Sequence, residues 1–420
     1  MNIMEYLRGA AVIGQSGGPT AAINASLAGV ICGLLDNRDI ATTVYGMKNG
    51  IEGFLKEDII DLSKIFSSGG KIDEEKISLL KSTPAASLGS CRKKLPKESD
   101  DPEFYEKLFS LFKKYNIRYF FYIGGNDSMD TVAKLTEYSE KNADWEIKIM
   151  GVPKTIDNDL DCTDHTPGFG SAAKYIATTV SEIIRDCSVY TVPAVTIVEI
   201  MGRDAGWLTA SAALCGRVTG YAPDYIYLPE RHFSWDEFLV DVKAALDKHP
   251  NVVIAVSEGL RCADGRYVGE GTQSGVADVF GHKYLSGTGK ALELFIKDKI
   301  GCKVRSVELN ISQRCAAHLA SKTDIDESFG VGYAAAKSAL EGETGSMMTM
   351  VRADEKDYEI SFAPRKIKGI ANAVKCVPDS FINERGNYVT EECIDYILPL
   401  IQGENPVVYK NGLPVFFTFD

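Results

Sequence analysis

Two short acidic motifs carry side chains suited to handling phosphate. Gly124-Gly125-Asn126-Asp127-Ser128 and Pro153-Lys154-Thr155-Ile156-Asp157-Asn158-Asp159 each stand directly after an apolar run that reads as a buried strand. A single Asp after a strand is usually a cap or a turn residue, but two acids flanking an Asn beside a Lys and a Thr ask for more. If a hydroxyl attacks phosphorus, one carboxylate can accept its proton while another helps hold the Mg2+ that neutralises phosphate charge. Asp157 suits the base and Asp159 the metal. Lys154 has two readings: a neutralising ion pair with these acids, or a charge directed at a phosphate in the transition state.

Glycines supply a second element of the same chemistry. Gly17 and Gly18, in Gly14-Gln15-Ser16-Gly17-Gly18-Pro19, let backbone N–H groups approach a phosphoryl oxygen, and the N-terminus of the helix that follows adds a favourable field. A lone Ser-Gly-Gly is as readily a structural turn; its place after a first strand and before a helix favours the phosphate reading. Arg203 in Met201-Gly202-Arg203, Glu258 in Val256-Ser257-Glu258-Gly259, and Arg305 and Arg314 would each be surface charges taken singly, and gain force only together.

These residues need elements to place them. Ala10–Ile13 reads as a strand and Ala21–Leu35 as an alanine-rich helix. Asp101-Pro102 supplies a cap and a first-turn proline to a helix whose Phe104, Leu108, Leu111, Phe112 and Tyr115 recur at helical spacing. Tyr119–Ile123, Ile147–Val152, Val195–Ile200 and Val252–Ser257 are apolar without alternation, as expected of strands buried on both faces. Ser234 caps a helix running roughly from Trp235 to Lys248. Short apolar runs alternating with helical patterns predict an α/β fold, in which ligands bind at the carboxyl ends of the strands. Lys94–Glu103 and Arg261–Ser274 read as surface loops, and Phe416-Phe417-Thr418-Phe419 as an apolar segment packing at an edge.

Composition bounds the function. With 420 residues, 45% of them hydrophobic, the chain is long enough for two or more domains with sizeable cores. A net charge of −12 offers no global positive field, which argues against nucleic acid or an anionic membrane as partner. An anionic substrate must meet locally concentrated Arg and Lys. Ten cysteines, scattered singly without a CxxC pair or zinc spacing, read as reduced structural thiols. The N-terminus lacks a signal-peptide pattern and no apolar run reaches membrane-spanning length, so the expected compartment is the cytoplasm.

Ser16-Gly17-Gly18, Leu88-Gly89-Ser90-Cys91-Arg92, Gly-Gly-Asn-Asp-Ser, Pro-Lys-Thr-Ile-Asp-Asn-Asp, Met-Gly-Arg and Gln313-Arg314 occur in the order and approximate spacing of the phosphofructokinases, which the chain resembles over roughly residues 10–330. The resemblance implies two Rossmann-like domains with mainly parallel sheets covered by helices and the active site in the cleft between them. Residues 1–168 plus about 313–365 would handle the phosphoryl donor, and residues 169–312 plus about 366–420 the sugar phosphate.

It further implies that Asp157 deprotonates the 1-hydroxyl of fructose 6-phosphate in a glycolytic phosphoryl transfer, with Thr155 beside the sugar. Met201, Gly202, Arg203, Glu258 and Arg314 match sugar-phosphate contacts, and Gly17 and Arg92 match positions around the transferred group; with Gly18, Asn126, Asp127 and Ser128 they make up the expected donor-binding set. Arg305 matches an arginine that reaches the 6-phosphate from a neighbouring subunit, which implies a homodimer or homotetramer.

Two positions divide the family by donor. ATP-dependent members usually carry Gly at the positions of Asp127 and Lys154, whereas pyrophosphate-dependent members have Asp and Lys, as here. An Asp side chain fills the volume an α-phosphate needs and opposes its charge, while Lys154 can serve the shorter donor. The chain departs from the family at Asn126, where many members have a magnesium-associated Asp for which Asp127 or Asp159 would compensate, and at Ala194 and Ile311, where Arg and His contact phosphate. The competing readings are an ATP-dependent enzyme of the same family and a non-catalytic sugar-phosphate sensor; turnover by the purified chain separates the second, and comparing donors the first.

Overall fold

The computed structural model describes residues 6–142, 144–270, 287–353, 357–368 and 374–419. Within them, the alternating apolar runs and amphipathic stretches form two main sheets faced by helices, an α/β architecture as expected. The larger sheet has seven strands in the spatial order Ile360–Lys366, Ser346–Arg352, Lys148–Pro153, Ile117–Gly124, Gly9–Gln15, Ala41–Met47, Ile59–Asp61. Only its two outermost strands run antiparallel to their neighbours. The smaller sheet, in the order Lys303–Glu308, Ala194–Ile200, Asn251–Ser257, Tyr225–Tyr227, is parallel throughout.

Each strand expected from unbroken apolarity is present, most of them longer by a residue or two, while Ile147–Val152 is shifted by one to Lys148–Pro153. The continuous runs are explained by double-sided burial. Phe120 and Tyr122 pack on one face of the large sheet with Phe112 of the Pro102–Lys114 helix, while Tyr119 and Phe121 pack on the other with Ile31 and Val331. The predicted caps hold: the Asp101 carboxylate accepts the Phe104 N–H at 3.1 Å, and Ser234 Oγ accepts that of Glu237 at 3.4 Å. The helix after Ser234 ends at Leu246, short of Lys248, and Glu103 lies in the first turn of its helix, so the loop from Lys94 stops at Asp101. Of the polar segment Arg261–Ser274, residues 271–274 fall outside the described residues.

The helix Lys322–Leu340, far along the chain, returns to cover the first sheet. It crosses Ile23–Leu35 backbone to backbone: a Cβ on Gly29 would stand 2.0 Å from Phe329 O, and one on Gly332 would stand 2.1 Å from Ser26 O. Only glycine permits that approach. Beyond Lys366 the tail divides. Ile394 and Ile397 of the helix Glu391–Ile397 join the core of the smaller sheet, with Trp207 and Val198. Phe417 and Phe419 instead pack against Phe66, at centroid distances of 5.1 and 6.3 Å, so the final residues return to the larger sheet's core near its Ile59–Asp61 edge. Among the described residues no helix is long and apolar enough to cross a membrane.

Candidate active site

In the larger sheet, Gly9–Gln15 lies between Ala41–Met47 and Ile117–Gly124, so successive crossovers leave it in opposite directions and open a crevice at the carboxyl ends of the strands. Ser16-Gly17-Gly18 and Gly125-Asn126-Asp127 flank that crevice, and the carboxyl ends of Lys148–Pro153, Ala194–Ile200 and Asn251–Ser257 border the same cavity of about 520 Å3. The large sheet contributes Gly17, Gly18, Asn126, Asp127, Ser128, Lys154, Thr155, Asp157 and Asp159 to the cavity lining. The smaller contributes Met201, Arg203 and Glu258; Arg92 and Arg314 come from connecting segments. Residues scattered over 300 positions are thus brought together.

Glycine is required at the first turn. Gly17 has φ +78°, and a Cβ there would sit 3.2 Å from Lys154 Nζ; a Cβ on Gly18 would sit 3.3 Å from Arg314 Nη1. The bare turn therefore lets two cations close on the backbone, a notch suited to a phosphoryl group. Gly17 is fixed from outside: its N–H donates to Cys91 O at 3.2 Å, and Ser90 Oγ donates to its carbonyl at 2.7 Å. The Leu88–Arg92 motif thereby anchors the turn that it flanks. Asn126, Asp127 and Ser128 begin the helix Asn126–Lys141, whose start carries no side-chain cap and turns its positive dipole end to the cavity.

Lys154 is buried, and its ammonium donates to Gly18 O at 2.7 Å. Burial pulls its pKa down from 10.5 to about 8, against the pull of Asp157 and Asp159. The acids shift the other way. Asp157 is raised by burial, opposed by its contact with Thr155 Oγ1 at 3.3 Å and by Lys154, Arg203 and Arg314. Asp159 is pushed up to about 7 by burial and by the charge of Asp157, and Glu258 to about 8 by burial and then Asp157. Three carboxyls in one cavity with displaced titration are the pattern of a proton-handling, cation-seeking site.

Asn126 Nδ2 donates to Asp159 Oδ2 at 3.4 Å, so the Asn that departs from the family pattern sits on the acid expected to face a metal. Asp127 pairs with Lys94 at 3.1 Å, both side chains about half exposed. Among the described residues no three or more His, Cys, Asp or Glu side chains cluster as a ready-made metal cage. Mg2+ does not need one, since it commonly takes one or two carboxylates and draws its remaining ligands from water and substrate phosphate. Asp159 and Asp127 both line the cavity and fit such a cation, while Asp157 is engaged with Thr155 Oγ1.

Two expected residues stand apart. Gly202 is not on the cavity wall; its N–H donates to Glu258 Oε1 at 3.3 Å and so orients that carboxyl. Arg305 lies in a separate hollow beside Tyr190, 3.9 Å from Asp186, and does not reach this chain's own cavity. Sequence reasoning missed Lys93, Lys94 and Asp204, which line the cavity. The basic run Arg92-Lys93-Lys94 was a signal for the first two, obscured by assigning Lys94 to a surface loop.

A family model described as phosphofructokinase matches residues 10–337. A pyrophosphate--fructose 6-phosphate 1-phosphotransferase from Halomonas elongata is 41% identical over 404 residues, covering 95% of this chain and 93% of that protein. One of the same name from Methylococcus capsulatus is 39% identical over 406 residues, covering 96% and 94%. The crystal structure of a pyrophosphate-dependent phosphofructokinase from Nitrosospira multiformis aligns with a TM-score of 0.86 at 36% identity, covering 98% of this chain and 96% of that one. With glycine turn, acid pair and arginines gathered at the strand ends and the family model spanning all of them, the chain belongs to the phosphofructokinase family.

Proposed function

We propose that this chain transfers a phosphoryl group from pyrophosphate to the 1-hydroxyl of fructose 6-phosphate, giving fructose 1,6-bisphosphate and phosphate. The observation that carries the choice of donor is that Lys154 and Asp127 line one cavity: a buried ammonium against the Gly17-Gly18 turn, and a carboxylate that takes up room and opposes the charge of a longer donor. Because a pyrophosphate bond is exchanged for a phosphate ester, the reaction runs in either direction.

Asp157 accepts the proton of the attacking hydroxyl, and its raised pKa brings it closer to the hydroxyl it must deprotonate. Thr155, hydrogen-bonded to Asp157, orients the carboxylate. Lys154, Arg92 and the Gly18 amide hold the transferring group and stabilise the charge it develops, with Gly17, whose own N–H is held by Cys91 O, shaping the turn and with Asn126, Asp127 and Ser128 on the donor side. Met201, Arg203, Glu258 and Arg314 bind the sugar phosphate, with Gly202 behind Glu258. Asp159 and Asp127 are the residues that would hold Mg2+, which when bound neutralises phosphate charge.

We assign residues 1–168 with about 313–365 to the donor side and 169–312 with most of the tail to the sugar side; sheet membership supports the division, and Phe417 marks an exception to it. Arg305 serves the cavity of a neighbouring subunit in a homodimer or homotetramer. The ten free cysteines suit the reducing cytoplasm. The test is an aldolase-coupled assay of the purified chain with each donor. Turnover with pyrophosphate and little with ATP is expected; a preference for ATP would assign the ATP-dependent reading, and binding without turnover the sensor.

A further inference from the structure

We propose that Lys375 and Tyr396, beyond the residues 10–337 that the family model matches, are positioning residues that set the orientation of the acid loop from behind. The inference rests on the reading of Asp157 as the base. Asn158 lies between the two acids and is buried, while Asp157 and Asp159 both line the cavity. Its φ of +54° is left-handed, a conformation Asn tolerates better than most residues but does not adopt without support. That reversal turns the Asn158 side chain away from the cavity and leaves its two neighbours facing it.

The support comes from the tail. Asn158 Nδ2 donates to Tyr396 OH at 3.2 Å, and the same hydroxyl donates to Asp164 O at 2.6 Å. Lys375 Nζ donates to Asn158 Oδ1 at 3.5 Å, to Thr163 O at 3.2 Å and to Asp164 O, and lies 5.3 Å from the centroid of the Trp207 ring. The Lys375 backbone N–H donates to Asp159 O at 2.9 Å, and Val374 bridges Leu160. The turn that carries both acids is therefore held at Asn158, Asp159, Leu160, Thr163 and Asp164 by a segment more than 200 residues away in sequence. Neither Lys375 nor Tyr396 lines the cavity, so neither touches substrate. The ammonium of this partly buried lysine thus meets three oxygens of the turn. Removing the lysine takes the ammonium donor from Asn158 Oδ1 and Thr163 O and leaves Asp164 O to Tyr396 alone, which frees the left-handed turn to relax and swings the base off line.

Lys375→Met, Lys375→Arg and Tyr396→Phe would be compared with wild type for kcat, for KM toward each substrate with pyrophosphate as donor, and for melting temperature. Since a displacement near 1 Å lowers rates by about 100-fold, Lys375→Met should lose about 10- to 100-fold in kcat with both KM values within about twofold. Tyr396→Phe should lose less, and Lys375→Arg should recover part of the loss. If Lys375→Met does not fold, Tyr396→Phe decides by the same division between kcat and KM. Folded variants with wild-type kcat, or losses confined to KM, would overturn the inference. Absence of wild-type turnover with pyrophosphate would instead overturn the reading on which it rests.

Discussion

Replacing Lys154 by Met should stabilise the ligand-free protein while abolishing its chemistry. Lys154 is 3% exposed, and burial lowers its pKa from 10.5 to about 8. That drop corresponds to about 3 kcal/mol of penalty for holding the ammonium charged in the fold, at 1.36 kcal/mol per pKa unit. The hydrogen bond to Gly18 O returns about 1 kcal/mol, so a net gain of about 2 kcal/mol is expected for the Met variant at pH 7. The sign with pH follows from linkage. Between about 8 and 10.5 the unfolded chain binds the proton that folded Lys154 has released, so wild-type stability from this group rises across that window, and the penalty is fully present below it. The advantage of Lys154→Met should therefore be largest near pH 7 and shrink toward pH 10. Denaturant melts of both proteins without ligand at pH 7 and pH 9.5 measure it. A destabilised variant, or an advantage that does not change with pH, would mean that the buried Lys154 ammonium carries no such penalty. The same variant should lose pyrophosphate binding and turnover, since the penalty is relieved when phosphate arrives.

Other consequences follow from the same geometry. Asp127→Gly, alone or with Lys154→Gly, should raise kcat/KM for ATP relative to pyrophosphate in the coupled assay, because it removes both filled volume and charge; unchanged donor ratios in the double variant would exclude this explanation of selectivity. Lys94→Ala, which breaks the exposed 3.1 Å pair with Asp127, should change stability by less than about 1 kcal/mol by denaturant melt, yet raise KM for pyrophosphate. A base must lose its proton, and burial raises Asp157, so kcat/KM should fall on the acid side with an apparent pKa above the ordinary 3.8. An acid limb at or below 4 in the pH–rate profile would contradict that environment.

The local elements were legible because their causes are local. Unbroken apolar runs such as Tyr119–Ile123 mark strands covered on both faces, and Asp101-Pro102 and Ser234 mark helix starts through side chains that satisfy first-turn N–H groups. The acid motifs and the glycine turn were legible because each stands at a strand's end, where an α/β sheet places its ligands. What escaped notice depends on distant partners. Nothing in periodicity says that Lys322–Leu340 crosses Ile23–Leu35, although Gly29 and Gly332 make the crossing possible. Lys375 and Tyr396 have no motif around them, and their role arises only where the tail meets the 158–164 turn. The pair Lys94 and Asp127 joins a loop to a helix start 33 positions on.

In the proposed reaction Asp157 takes the proton of the sugar hydroxyl as pyrophosphate delivers its phosphoryl group. That step is tested most directly by kcat for Asp157→Asn with pyrophosphate, beside calorimetric binding of fructose 6-phosphate to the same protein. General-base removal predicts a fall in kcat of about 100- to 10,000-fold with sugar-phosphate affinity nearly unchanged. A kcat within tenfold of wild type would contradict the account.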